Sequence, residues 1–124
     1  MKKENLFTGM AGVGLLIIVA LGCGGGQTCV ADLVVEGKTH TGRASGTDQA
    51  QKNACSKYCI EGNPDFDAVY ERWLTTPEAK KASGRSKWDA QFYNKELKEI
   101  VARCQIRCKE FVDDGVYKMT VNCN

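Results

Sequence analysis

Residues 29–59 read CVADLVVEGKTHTGRASGTDQAQKNACSKYC, and two periodicities in that stretch decide the fold. From Cys29 to Glu36 the chain alternates. Cys29, Ala31, Leu33 and Val35 take one side, and Val30, Asp32, Val34 and Glu36 take the other. A period of two is that of a strand with one buried face. Glu36-Gly37-Lys38-Thr39 is a turn signal, and Thr39 to Ala44 continues as a second strand, so the pair predicts a β-hairpin. Ser45-Gly46-Thr47 ends the strand, and Thr47 is the expected N-cap of a helix from Asp48 to about Ile60. There the period lengthens, with Ala50, Ala54, Cys55, Tyr58 and Cys59 on one side.

Downstream, a short helix is expected from about Asp65 to Leu74, carrying Phe66, Val69, Tyr70, Trp73 and Leu74. Glu78 to Ala82 offers one helical turn. Ser86 can cap a long helix running to about Val112, with a stripe from Trp88, Phe92, Tyr93 and Leu97 to Cys104, Cys108 and Val112. Asp113-Asp114-Gly115 turns the chain into a last strand, Val116 to Cys123, in which Tyr117, Met119, Val121 and Cys123 share one face. The order β-β-α-α-β predicts an α+β domain: a three-stranded antiparallel sheet packed against disulfide-stapled helices.

Ahead of this domain the chain has the features of an export leader. Met1-Lys2-Lys3-Glu4-Asn5 is a net-positive start, and from Leu6 to Leu21 no charge interrupts an apolar run centred on residues 15–21. The run is short for a span of about 20 apolar residues and fits the apolar core of a signal peptide. It ends in Ala20-Leu21-Gly22-Cys23, which resembles the lipobox of bacterial lipoprotein precursors. In that family a small residue precedes a cysteine that is diacylated and becomes the new N-terminus. Gly22 and Cys23 match, while Ala20 and Leu21 invert the commoner order. The resemblance covers residues 1–23 and implies lipidation at Cys23, a signal peptide over 1–22, and a membrane anchor facing the periplasm or outer surface. The absence of Asp after Cys23 implies outer-membrane sorting in a Gram-negative cell. Gly24-Gly25-Gly26-Gln27 then reads as a tether, so residues 23–28 form the anchor and 29–124 the domain. The same residues also admit an uncleaved membrane helix or ordinary secretion.

The leader changes how the rest is read. Removing 22 of 124 residues leaves 102, enough for one small core. With Lys2, Lys3 and Glu4 gone, the formal charge falls from +2 to +1, which gives no field favouring nucleic acid. Seven cysteines behind an export signal point to disulfides in an oxidising compartment. If Cys23 carries lipid, six remain. Six allow 15 pairings, and the choice rests on the phases of the helices and strands.

Two C-x-x-x-C pairs stand out, Cys55/Cys59 and Cys104/Cys108. A four-residue step places both sulfurs on one helix face, so two antiparallel helices can form the rungs Cys55–Cys108 and Cys59–Cys104. This is similar to the twin C-x-x-x-C helical hairpins of small mitochondrial and secreted proteins, although 44 residues separate the pairs here. Only the ladder geometry is carried over. Cys29 and Cys123, each on the apolar face of a strand, are then left for each other. Four thiolates from two helices could instead hold zinc, but zinc sites more often show C-x-x-C knuckles.

Catalytic chemistry has little to build on. His40 is the only histidine and, between Thr39 and Thr41, is expected at the surface; a nucleophile–base–orienter set needs a base within reach. No catalytic residue, metal or cofactor is assigned. Val34 to Cys59 resembles the hairpin-plus-helix end of double-stranded RNA-binding domains, but Thr47-Asp48-Gln49 stands where those domains carry a lysine cluster, so no nucleic-acid partner is expected. The aromatic set of Phe66, Tyr70, Trp73, Trp88, Phe92 and Tyr93 has two readings. One is core packing. In the other, Phe66, Tyr70, Trp73 and Trp88 present a surface to an envelope protein or glycan. The expected function is therefore a membrane-tethered, non-enzymatic binding or structural module of the bacterial cell envelope, with a small envelope hydrolase as the alternative.

Overall fold

A computed structural model describes residues 26–124. The leader and Cys23 lie outside the described residues. The elements run β1 (Cys29–Val35), β2 (Lys38–Ala44), α1 (Thr47–Glu61), α2 (Pro64–Leu74), α3 (Pro77–Lys81), α4 (Lys87–Tyr93), α5 (Lys95–Asp113) and β3 (Lys118–Cys123). The sheet is antiparallel in the order β2-β1-β3, and the helices cover one face of it. This is the expected α+β arrangement.

The hairpin forms because Glu36 and Gly37 both adopt positive φ, at 50° and 80°, as a two-residue type I′ turn requires. That turn fixes the register Val35↔Lys38, Leu33↔His40 and Ala31↔Gly42. Paired residues of an antiparallel ladder share a face, so His40 is carried to the buried side with Leu33. It is 9% exposed, and the expectation of a surface histidine is corrected. At Gly42 the same register brings β2 against α1. A Cβ there would fall on the backbone of Ala50, Asn53 and Ala54, so only glycine permits this approach.

The helix starts follow local chemistry, with two departures from the sequence reading. α1 begins at Thr47 itself, after an extended Gly46 that offers no side-chain cap. α2 is capped by Asn63, whose side chain accepts from the Asp65 N–H at 3.1 Å, with Pro64 in the first turn. Ser86 caps α4 as expected, accepting from the Asp89 N–H at 3.1 Å. The expected single helix from Ser86 to Val112 is two. Asn94 is extended, and its side chain accepts from the Leu97 N–H at 2.9 Å, ending α4 and capping α5. An asparagine side chain competes for backbone N–H groups in this way wherever the helix can be restarted.

Three disulfides join Cys29 to Cys123, Cys55 to Cys108 and Cys59 to Cys104, the pairs that the strand and helix phases select. The first links register partners at the end of β1 and β3. The other two clamp α1 against α5, with Cα separations of 5.9 and 5.7 Å. Two apolar clusters result. One lies under the sheet, from Cys29, Ala31, Leu33 and Val35 to Ala50, Ala54 and Cys108. The other lies among the helices, around Phe66, Trp73, Leu97 and Ile100. Disulfides of this number fit an exported chain in an oxidising compartment. Among the described residues no helix is long and apolar enough to cross a membrane.

Candidate functional site

The six aromatic residues divide between the inside and the outside. Phe66 and Trp73 are 0% and 2% exposed, so they belong to the helical core and cannot meet a partner. Their positions on α2, with Val69 between them, form the stripe that packs against α5. Tyr70 is half-buried, and its hydroxyl donates to the Arg85 carbonyl at 2.6 Å. The rings form a continuous stack outward. Phe66 lies 6.2 Å from Tyr70, Tyr70 lies 6.3 Å from Trp73, and Trp73 lies 6.2 Å from Tyr93.

Trp88, Phe92 and Tyr93 end that progression at the surface. They are 40%, 72% and 39% exposed. Carried on as one helix, Trp88 would stand about 180° and Phe92 about 140° round from Leu97, and in α4 as it is formed only Ala90 is buried. Trp88 and Phe92 are four residues apart, so their side chains stand on one side of the helix. Reading one long helix here passes over a change of phase, since Trp88 and Phe92 are out of step with Leu97 and Ile100. The signal that could have shown it is Asn94 followed by Lys95-Glu96, a helix start.

α4 is short but well pinned. Trp88 Nε1 donates to Glu61 Oε2 at 2.6 Å at the end of α1. Lys87 Nζ donates to Asp67 Oδ1 at 2.6 Å on α2, and the Tyr93 and Ser83 hydroxyls lie 2.6 Å apart. These contacts hold the Trp88 and Tyr93 rings, each partly open to solvent. Such an arrangement suits binding, since little side-chain freedom is left to lose.

Two grooves flank α5. One, of about 320 Å³, lies between α1 and the end of α5 over Met119. The other, of about 620 Å³, lies between the start of α2 and α5. His40 lines neither. It sits edge-on to Tyr58, with ring centroids 5.3 Å apart, and burial lowers its pKa from the ordinary 6.5, with Glu61 opposing the shift. Burial also pushes the Tyr58 hydroxyl up to about 12, with Tyr117 adding to the effect. A neutral, buried imidazole beside a protonated phenol is a packing pair rather than a proton-transfer pair. Among the described residues no group of three or more His, Cys, Asp or Glu side chains could hold a metal ion. Scans of family models, curated proteins and solved structures find no match to this chain.

Proposed function

We propose that the chain is a membrane-tethered, non-enzymatic binding module of the bacterial cell envelope, anchored through a lipidated Cys23. The observation that carries the binding role is the exposed Trp88–Phe92 pair on α4, in which Trp88 is held by Glu61, with Tyr93 beside it. Exposed aromatic clusters on a stapled scaffold are the usual anchors of protein and glycan recognition. Support for the anchor comes from Gly22-Cys23 at the end of the apolar run, followed by a glycine tether.

Two experiments test the reading in parts. Intact mass spectrometry of protein from a producing cell should give a mature N-terminus at a modified Cys23, and any other N-terminus ends the lipoprotein claim. Crosslinking in intact cells through a photoreactive residue at Phe92 should capture one envelope component. Trp88→Ala should abolish that capture while the protein stays folded, with only a small drop in melting temperature from the lost Glu61 hydrogen bond. Capture that survives Trp88→Ala removes α4 as the binding surface.

A further inference from the structure

The groove between α2 and α5 carries a charge arrangement that the α4 surface lacks. Glu96, Ile100, Arg103, Arg107 and Phe111 all line it from α5. Their spacing of three and four residues turns one helix face toward the groove. The floor is apolar, with Val69 and Ile100 only 7% and 8% exposed. One end is aromatic, where Tyr117 meets Tyr58 and Phe111 edge-on at 5.8 and 5.0 Å. Two carboxylates share the groove, and both are accounted for. Glu96 is bound by Arg72 at 3.1 Å, and Asp65 lies in the first turn of α2, where the helix dipole offsets its charge. Among the described residues neither Arg103 nor Arg107 has a carboxylate within 4.0 Å.

We propose that this groove binds a small ligand with an apolar body and one carboxylate, of which the free C-terminal end of a short apolar peptide is the simplest form. Guanidinium groups one helical turn apart can clamp a planar oxyanion, and their fork matches carboxylate geometry in two parallel hydrogen bonds. The body of the ligand lies on Val69 and Ile100, with its last ring or branched side chain against Phe111 and Tyr117. A monoanion is favoured over a phosphate dianion because Asp65 faces the same space, and its repulsion grows with the charge brought in. The volume of about 620 Å³ falls within the range of small-ligand sites. None of the groove's lining residues is Trp88, Phe92 or Tyr93, so the site goes beyond the α4 surface and its test is independent of that reading.

The test titrates the oxidised, isotope-labelled protein with N-acetyl-leucyl-phenylalanine as the free acid, then with its C-terminal amide, and then with inorganic phosphate. The acid should produce saturable amide shifts centred on Ile100, Arg103, Arg107 and Phe111. The amide, which keeps the body and loses the charge, should bind about tenfold more weakly. Added salt should weaken the acid and leave the amide unchanged. The pair Arg103→Gln and Arg107→Gln, with the disulfides and melting temperature intact, should remove the preference for the acid. Equal binding of acid and amide overturns the proposal. So do shifts centred on Trp88 and Phe92, phosphate binding as well as the dipeptide, or no saturable shift at millimolar acid.

Discussion

Under the sheet the buried side chains are small. Cys29, Ala31, Ala50, Ala54, Cys55 and Cys108 surround Leu33 and Val35. Among the helices they are large, with Phe66, Trp73, Leu97, Ile60 and Ile100. The difference follows from how closely the backbones approach. Gly42 and the two alanines of α1 let the helix lie directly on β2, and a close approach leaves no room for big side chains. Small side chains remove less apolar area from water, at roughly 25 cal/mol per Å². Two of the three disulfides, Cys29–Cys123 and Cys55–Cys108, lie in this half, and the third stands at the boundary. Cross-links act chiefly by restricting the unfolded chain, so they supply what thin hydrophobic packing does not. The helical half relies mainly on burial, with the Cys59–Cys104 link at its edge.

The largest effect should come from the helical half. Trp73→Ala removes a 2%-exposed ring stacked between Tyr70 and Tyr93, and such truncations cost about 3–5 kcal/mol. Urea denaturation measures it, and a loss under about 1 kcal/mol would show that the helical core is not what holds that half. Trp73 Nε1 is buried without a partner among the described residues. Trp73→Phe should therefore cost distinctly less than its lost volume suggests, because it also removes an unsatisfied donor.

Next comes the covalent half. Replacing Cys29 and Cys123 together by serine opens a loop of sequence separation 94, and losing a disulfide from a small domain typically costs about 2–5 kcal/mol. Hydrogen exchange sharpens the comparison. The amides of β1 and β3 should lose protection in this variant before those of α2 do. Equal loss in both halves would mean that the two clusters unfold as one unit and that the contrast between them is only compositional.

A smaller loss should follow from Gly42→Ala. One methyl group would press on the α1 backbone, and overpacking of this kind typically costs about 1–3 kcal/mol. Calorimetry checks it: an unchanged melting temperature would show that α1 can lift from β2, so that close approach is not what keeps this core small.

Much of this division can be read in the chain itself. Strand alternation from Cys29 to Val35 and the four-residue cysteine steps are strong signals, because a single phase error would have scattered the sulfurs over different faces. What escaped were features set by competition between local and distant forces. At Asn94 the run of aromatic and apolar residues invites one long helix, yet the asparagine side chain caps α5, and Trp88 and Phe92 stand outward on the separate α4. His40 looks polar and exposed beside two threonines, but the turn at Glu36-Gly37 sets its register against Leu33. The Arg103–Arg107 groove depends on where α2 returns along α5, and residue spacing on one helix cannot say that.

His40 supplies the smallest and most selective test, because the sequence has a single histidine and it belongs to the sheet half. Burial beneath β2, against Tyr58 and Gly62, disfavours the charged ring and lowers its pKa from 6.5. Lys57 and Lys38 lower it further, while Glu61 pulls the other way. The sign of the stability effect follows from where protons bind. Well above pH 6.5 the imidazole is neutral in both folded and unfolded chains, so it contributes no pH dependence. As the pH falls through 6.5, the unfolded chain takes up a proton that the fold resists. Stability therefore declines on acidification and levels off once the folded pKa is passed. Urea midpoints at about pH 7.5 and about pH 5, on either side of the ordinary histidine value, should fall for the native protein. They should fall less for His40→Gln, which fills similar space without titrating. Equal declines in the two proteins would mean that His40 exchanges protons as freely as an exposed histidine. The register that buries it, and with it the close seating of α1 on β2, would then be wrong.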